Sequence, residues 1–285
     1  MKIKARLEPG KVALVTGGSS GIGKAVAFGL AKRGMDVWLV AQRQDLLDSA
    51  QREVESCRQN HNQVIGTISA DVSDCDQVRT AVKQVTKQSG SPYLLVNSAG
   101  VSHPGYVQEL DLNIFNWMME VNYFGTVFMA KEVIPLMLKN GTGYIVNISS
   151  LAGIFSVIGY TAYGASKFAV KGFTDALRQE MKLYNIGVSL ILPSDTDTPQ
   201  LEYENRFKPP ETKALGNISG SMMADLVAKE ILSGIERGRY MIIPGLEGKV
   251  LYHLHGLLGG GINPIIDRLI ADAVKKKNPS PPKEV

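Results

Sequence analysis

Val12-Ala13-Leu14-Val15-Thr16-Gly17-Gly18-Ser19-Ser20-Gly21-Ile22-Gly23 is the stretch that decides the fold. Its first part is apolar up to Thr16 and reads as a strand buried on both faces. The glycine-rich part leads into Lys24–Arg33, which has helical periodicity. Glycines at a strand-to-helix junction let the chain turn tightly. They also bring bare backbone against a pyrophosphate, whose charge sits on the free amides of the helix N-terminus. Taken alone, a glycine-rich turn that holds nothing is the competing reading.

The same alternation continues outward from this junction. Val37–Val40, Val64–Ala70, Leu94–Asn97, Tyr144–Ile148, Val188–Leu192 and Tyr240–Ile243 read as strands. Ser49–Arg58, Cys75–Gln88, Asn113–Lys139, Ser166–Leu183 and Ser221–Arg237 read as helices. Doubly apolar strands alternating with helices predict an α/β protein with a doubly wound parallel sheet, a Rossmann fold. Its ligand crevice lies at the carboxyl ends of the strands. No linker interrupts the pattern before about Gly245. Residues 1–245 are therefore expected to form one dinucleotide-binding and catalytic domain, and residues 246–285 a C-terminal extension.

Composition excludes several classes. At 285 residues, 44% hydrophobic and 20% charged, the chain suits an ordinary globular domain. A net charge of +4 with no basic stripe among aromatics argues against nucleic acid. The two cysteines, Cys57 and Cys75, have no CxxC spacing and fit free thiols in a reducing compartment. His253 and His255 can share one face of a strand, but no third ligand is in view and no HExxH occurs, so no metal is expected. No segment has the signal-peptide pattern or the ~18 consecutive apolar residues of a spanning helix, so a cytoplasmic protein is expected.

Further segments carry chemistry. Asn97-Ser98-Ala99-Gly100 closes the fourth strand, which neighbours the first in a doubly wound sheet, and its small residues leave room for an adenosine. Asp71-Val72 ends the third strand, where it can hold adenine by hydrogen bond and packing. In Tyr163-Gly164-Ala165-Ser166-Lys167 a spacing of four puts phenol and ammonium on one helix face. A fixed cation lowers a tyrosine pKa from ~10 toward neutrality and makes it an acid–base group. Most Tyr-x-x-x-Lys pairs are only solvated neighbours. Ser150 changes that reading, because its hydroxyl can converge with the phenol on one carbonyl oxygen.

Together these segments resemble the short-chain dehydrogenase/reductase family over roughly Gly10 to Pro244. The matches are TGxxxGxG at Thr16–Gly23, the NAG-like Asn97–Gly100, Asn122, Ser150, and Tyr163 with Lys167. The resemblance implies that Tyr163 exchanges the proton with substrate oxygen and that Ser150 orients the carbonyl. It implies that Lys167 binds the nicotinamide ribose and keeps the phenol acidic, and that Asn122 holds a proton-relaying water. Thr198 would bind the carboxamide. The implied cofactor contacts are Gly17, Ser19, Ser20, Gly21, Ile22, Gly23, Arg43, Asp71, Val72, Asn97, Ala99, Gly100, Tyr163, Lys167, Pro193, Thr196 and Thr198. Pro193-Ser194 stands where the family usually has Pro-Gly, a departure that touches loop conformation near the nicotinamide.

The second strand ends in Val40-Ala41-Gln42-Arg43, with Ala41 where an NAD enzyme places an acid on the ribose. Arg43 then favours a 2′-phosphate, hence NADPH over NAD, with Ser19 adding a hydroxyl contact. NADPH enzymes of the family often carry arginine at the position of Gln42. The competing reading is a solvated Arg43 and little selectivity.

The loop Pro193–Thr198, with Leu201-Glu202, Lys208-Pro209 and Glu211-Thr212, is similar to 3-ketodihydrosphingosine (3-ketosphinganine) reductases. That resemblance implies reduction of 3-ketosphinganine to sphinganine in sphingolipid synthesis. Asp195, Asp197, Glu202 and Glu204 are expected near the site opening, where they can attract a substrate ammonium. Phe155, Val157, Ile158, Leu201 and Phe207 are expected along the acyl chain. The substrate set is thus Ser150, Phe155, Asp195 and Leu201. Other readings are a reductase of a 3-oxoacyl thioester, steroid or retinal, and a non-catalytic dinucleotide-binding sensor or scaffold. The intact Asn122, Ser150, Tyr163 and Lys167 speak against the scaffold.

In the extension, Val250–Leu258 is largely apolar and Gly259–Gly261 ends any continuous helix. Asn263-Pro264 reads as N-cap and N1 of a further helix. That helix would carry the stripe Ile265, Ile266, Leu269, Ile270 and Ala273, followed by Lys275-Lys276-Lys277. The stripe packs on its own sheet or on a partner subunit of a homodimer or homotetramer. Alternatively, it lies at the cytoplasmic face of a membrane, with the lysines on anionic headgroups.

Overall fold

The computed structural model describes residues 2–264 together with 267, 268 and 271. Strand β1 (Val12–Thr16) forms as read, with every residue buried. Its side chains alternate between two apolar cores: Ala13 and Val15 enter one, Val12 and Leu14 the other. Gly17 then turns at φ +65° and Gly21 at φ +53°, a region that disfavours a Cβ. Helix α1 (Gly21–Ala31) therefore starts inside the glycine segment rather than at Lys24.

β2 (Asp36–Ala41), α2 (Gln44–Glu55), β3 (Ile65–Ser69), α3 (Cys75–Ser89) and β4 (Leu94–Asn97) continue the alternation. α4 (Leu112–Met118), a π-helical turn (Met119–Phe124) and α5 (Gly125–Asn140) follow, then β5 (Gly143–Ile148) and a short 3-10 turn (Leu151–Gly153). Next come α6 (Thr161–Lys182), β6 (Ile186–Ile191), β7 (Thr196–Asp197), α7 (Pro199–Phe207) and α8 (Pro210–Ser219). β8 (Met222–Met223), α9 (Ala224–Glu236), β9 (Met241–Ile242), α10 (Leu246–Leu258) and a 3-10 turn (Gly259–Ile262) complete the described chain.

The main sheet is parallel, in the order β3-β2-β1-β4-β5-β6-β9. Thr16 at the end of β1 pairs in register with Val40 of β2 and Asn97 of β4. Strand order reverses between β1 and β4, which opens a crevice beyond their carboxyl ends. One face of the sheet packs on α1, α2 and α9 through Val26, Leu30, Leu47, Val54, Val227 and Ile231. The other face packs on α3, α5 and α6 through Val78, Val82, Met129, Val133 and Leu177. Each such side chain contributes about 1.5–3 kcal/mol by leaving water.

Several expectations need correction. α2 and α6 each begin five residues before the expected start, at Gln44 and Thr161. Neither has a side-chain cap, since Arg43 and Tyr160 hold the N-cap positions without one. The expected helix over Asn113–Lys139 is interrupted by the π turn that carries Asn122. α7, α8 and the small β7–β8 ladder were not anticipated. His253 and His255 lie on helix α10, not on a strand.

α10 stops before Gly259, as the glycine run implies. The stripe residues Ile265, Ile266, Leu269, Ile270 and Ala273, and Lys275–Lys277, fall outside the described residues. Among the described residues no helix is long and apolar enough to cross a membrane.

Candidate active site

A cavity of about 860 Å³ opens beyond the carboxyl ends of β1, β2, β4, β5 and β6. Its floor is the junction that opened the sequence. Thr16 Oγ1 accepts from the amides of Ser98 and Ala99, both at 3.0 Å, and so ties the two small-residue loops together. A Cβ on Gly17 would lie 2.8 Å from Ala99 N and Ser98 O, so only glycine fits between them. The N-cap residue of α1, Ser20, makes no side-chain bond to the first-turn amides. They are left for an anion.

Most of the expected cofactor contacts line this cavity. Gly17, Ser19, Ser20, Gly21, Ile22 and Gly23 form one wall, and Arg43, Val72, Ala99 and Gly100 another. Tyr163, Lys167, Pro193, Thr196 and Thr198 stand at the far end. Ala41 is present on the wall, and Arg43 is exposed at the rim with no acidic partner at ion-pair distance among the described residues.

Two residues of the set are turned to other work. The Asp71 carboxylate accepts from Ser73 N at 2.8 Å and Ser73 Oγ at 2.7 Å, and Asp71 is absent from the lining. Asn97 donates to Asn147 Oδ1 at 2.8 Å between adjacent strands; Ser98 takes its place on the wall. A bare glycine cradle, unsatisfied helix amides and a continuous crevice together fit a nicotinamide dinucleotide.

Ser150, Tyr163 and Lys167 converge at the other end. Ser150 caps the 3-10 turn after β5, its Oγ accepting from Ala152 N at 3.1 Å, which aims the hydroxyl proton away from that turn. Tyr163 and Lys167 sit one turn apart on α6, with Lys167 Nζ 5.7 Å from the phenol ring centre and donating to Ile148 O at 3.2 Å. Burial pulls the Lys167 ammonium down to about 8.

The expectation that Lys167 lowers the Tyr163 pKa is overturned. Burial pushes the phenol up, and the charges of Glu204 and Asp195 push it further. Hydrogen bonding to Ser150 and Gln200 opposes them without prevailing. The phenol is therefore held protonated at neutral pH.

Asn122 lies behind the wall rather than on it. Its Oδ1 accepts from Val101 N at 2.7 Å, and its Nδ2 donates to Val101 O and Ser166 Oγ, both at 2.9 Å. A Cβ on Gly100 would lie 3.2 Å from Asn122 Oδ1 and 3.3 Å from Lys167 Nζ, so the two polar groups meet at that bare backbone. Thr198 caps α7, accepting from Leu201 N at 3.3 Å and donating to Thr196 O at 3.1 Å.

The acidic loop is more differentiated than its sequence. Asp197 and Glu202 are exposed, and Glu202 pairs with Arg206. Asp195 lines the cavity, where the expectation put a substrate ammonium, and there it pairs with the buried Lys208 at 3.2 Å, which matches part of its charge. Glu204 is buried on the wall.

Phe155, Val157 and Leu201 line the cavity as expected, whereas Ile158 and Phe207 do not. Phe207 packs at a tilt against His103 instead, with ring centres 4.3 Å apart. Sequence reasoning missed Tyr160, Gln200 and Leu215, and also Gly248, Leu251, Leu254 and Leu258 of α10; it quoted Lys208 and Thr212 for the loop resemblance without placing them on the wall. The cavity wall thus continues past residue 245. The signal for α7 was present in Thr198-Pro199, an N-cap followed by proline at N1.

Among the described residues no group of His, Cys, Asp and Glu could hold a metal ion.

A family model described as short chain dehydrogenase matches residues 11–208. The 3-ketodihydrosphingosine reductase of Mus musculus is 40% identical over 247 residues, covering 86% of this chain and 74% of that protein. The 3-dehydrosphinganine reductase of Danio rerio is 42% identical over 239 residues, covering 84% and 72%. Among solved structures, a short-chain dehydrogenase/reductase from Burkholderia phymatum in complex with NAD matches with a TM-score of 0.75 at 26% identity, covering 99% of this chain and 100% of that one. A short-chain dehydrogenase from Sphingobium yanoikuyae in complex with NADPH matches at 0.74 and 25%, covering 89% and 95%.

Proposed function

The chain belongs to the short-chain dehydrogenase/reductase family, and we propose from that premise that it reduces 3-ketosphinganine to sphinganine with NADPH. It is an oxidoreductase that works on a ketone or its alcohol with a nicotinamide dinucleotide. The observation that carries the substrate reading is one cavity that holds Ser150, Tyr163 and Lys167 together with an apolar path along Phe155, Val157, Leu201, Leu251, Leu254 and Leu258. Relatives named as 3-ketodihydrosphingosine or 3-dehydrosphinganine reductases, matching over most of the chain, support the same substrate.

When bound, the dinucleotide supplies the hydride. The chain's own residues hold the ketone and deliver the proton. Ser150, whose oxygen is occupied by the Ala152 amide, donates its hydroxyl hydrogen to the ketone oxygen and fixes its position. Tyr163, held neutral by its surroundings, gives its phenolic proton to that oxygen as the carbon becomes a secondary alcohol. Lys167, with one hydrogen on Ile148 O, keeps two that would reach ribose hydroxyls, and its positive charge stabilises the phenolate until a proton from solvent restores the phenol. Asn122 acts as a positioning residue through Val101 and Ser166. Ala41 and Arg43 favour the 2′-phosphate of NADPH over the bare ribose of NAD.

Leu246, Val250, Leu254 and Leu257 of α10 are exposed beside the cavity, a surface that suits peripheral contact with lipid or with a second subunit of a homodimer or homotetramer. The reading is tested by incubating the protein with NADPH and 3-ketosphinganine and identifying sphinganine. Absence of product alongside clear turnover of a 3-oxoacyl thioester or a steroid ketone overturns the substrate.

A further inference from the structure

Next to Tyr163 the cavity wall carries a carboxylate with no ion-pair partner among the described residues. Glu204 of α7 is 5% exposed. Its Oε2 accepts from the Tyr160 hydroxyl at 2.7 Å and its Oε1 from the Gln200 amide at 2.9 Å. Both donors are neutral. Among the described residues no lysine, arginine or histidine nitrogen lies at ion-pair distance from it, while the buried Lys208 nearby is engaged with Asp195. Two hydrogen bonds leave lone pairs on the carboxylate, and the cavity it lines also carries the apolar Phe155, Leu201, Leu215 and Leu251. A buried anion without a close ion-pair partner is costly, and a ligand that brings a cation against it lowers that cost. Glu204 also acts on the reacting group itself, since its charge is the second cause of the raised Tyr163 phenol and also bears on Lys167.

We propose that Glu204 is the anionic subsite that receives the substrate's ammonium, making the enzyme selective for α-amino ketones over plain ketones. This deepens the reading of the substrate as a 2-amino-3-ketone and rests on it. The amine sits one carbon from the carbonyl that Ser150 and Tyr163 hold, so a carboxylate beside the phenol faces it across a short span. Tyr160 and Gln200 orient the carboxylate, and its burial strengthens the attraction by excluding water. The substrate's charge offsets that of Glu204, which eases release of the Tyr163 proton, so the selectivity is expressed in kcat as well as in KM. Asp195, matched by Lys208, contributes less.

The test compares kcat/KM for 3-ketosphinganine with that for its 2-deamino analogue, using NADPH, in the wild type, Glu204→Gln and Asp195→Asn. The wild type is expected to prefer the amine. Glu204→Gln, which retains a hydrogen-bonding side chain of the same shape, is expected to lower that ratio by about thirtyfold or more, the loss of one partner of a buried charge pair. Asp195→Asn is expected to move it less. Thermal melting and NADPH titration check that each variant is folded. Equal kcat/KM values for the two ketones in the wild type overturn the inference without need of a variant. So does a folded Glu204→Gln enzyme with an unchanged ratio. Either result leaves the reductase reading intact; no wild-type turnover of 3-ketosphinganine overturns that reading and the inference with it.

Discussion

Lys167 Nζ donates to the carbonyl oxygen of Ile148, the last residue of β5, at 3.2 Å. This bond links the helix that carries Tyr163 to the strand end that carries Ser150, and it fixes the ammonium inside the wall. Burial there pulls the Lys167 pKa from 10.5 to about 8. A depressed folded-state pKa means that the unfolded chain binds more protons between those values, so the Lys167 contribution to stability rises with pH from about 8 toward 10. Lys167→Met should remove that rise and make the cofactor-free protein more stable below pH 8, by up to about 3 kcal/mol. Urea unfolding of both proteins from pH 7 to 10 checks it; parallel pH curves would show that the lysine is not held charged against its burial.

Tyr163→Phe keeps the ring and its packing but removes the acid. Turnover should fall by about 10²-fold or more, with NADPH binding retained. Stopped-flow reduction and fluorescence titration separate the two, and a variant with near wild-type turnover would require another proton donor.

Arg43 stands at the rim with no acidic partner at ion-pair distance among the described residues. Arg43→Ala should weaken NADPH about tenfold or more while leaving NADH nearly unchanged, because only the 2′-phosphate loses a charge-assisted bond. Comparable losses for both, measured as Kd, would remove the basis for NADPH preference.

Asn122 satisfies both backbone groups of Val101 and the Ser166 hydroxyl. Asn122→Ala strands these buried groups and should cost about 1–3 kcal/mol in urea unfolding, with a fall in kcat because the Gly100–Val101 backbone beside the site loses its anchor. Unchanged stability would mean that water fully replaces the amide.

The central sheet was legible because β1 is apolar on both faces and glycine spacing marks the turn after it. Helix starts were harder to read: α2 and α6 follow Arg43 and Tyr160, which leave no capping signature. The roles within the acidic loop were not legible at all. Asp195, Asp197, Glu202 and Glu204 are chemically alike in sequence, and only packing separates the exposed Asp197 from the buried Glu204. The short helix α7 turns Glu204 inward while Lys208, at its end, reaches Asp195. The histidines of α10 misled because a two-residue spacing fits a strand face. A thirteen-residue helix places them differently, with His255 stacked near Phe155.

Transfer of deuterium tests the central claim most directly. The protein, 3-ketosphinganine and NADPH deuterated at the transferred position should yield sphinganine with one deuterium on C3, and Tyr163→Phe should yield almost none. Wild-type protein that consumes no NADPH with this ketone, or forms sphinganine without the label, would contradict the account.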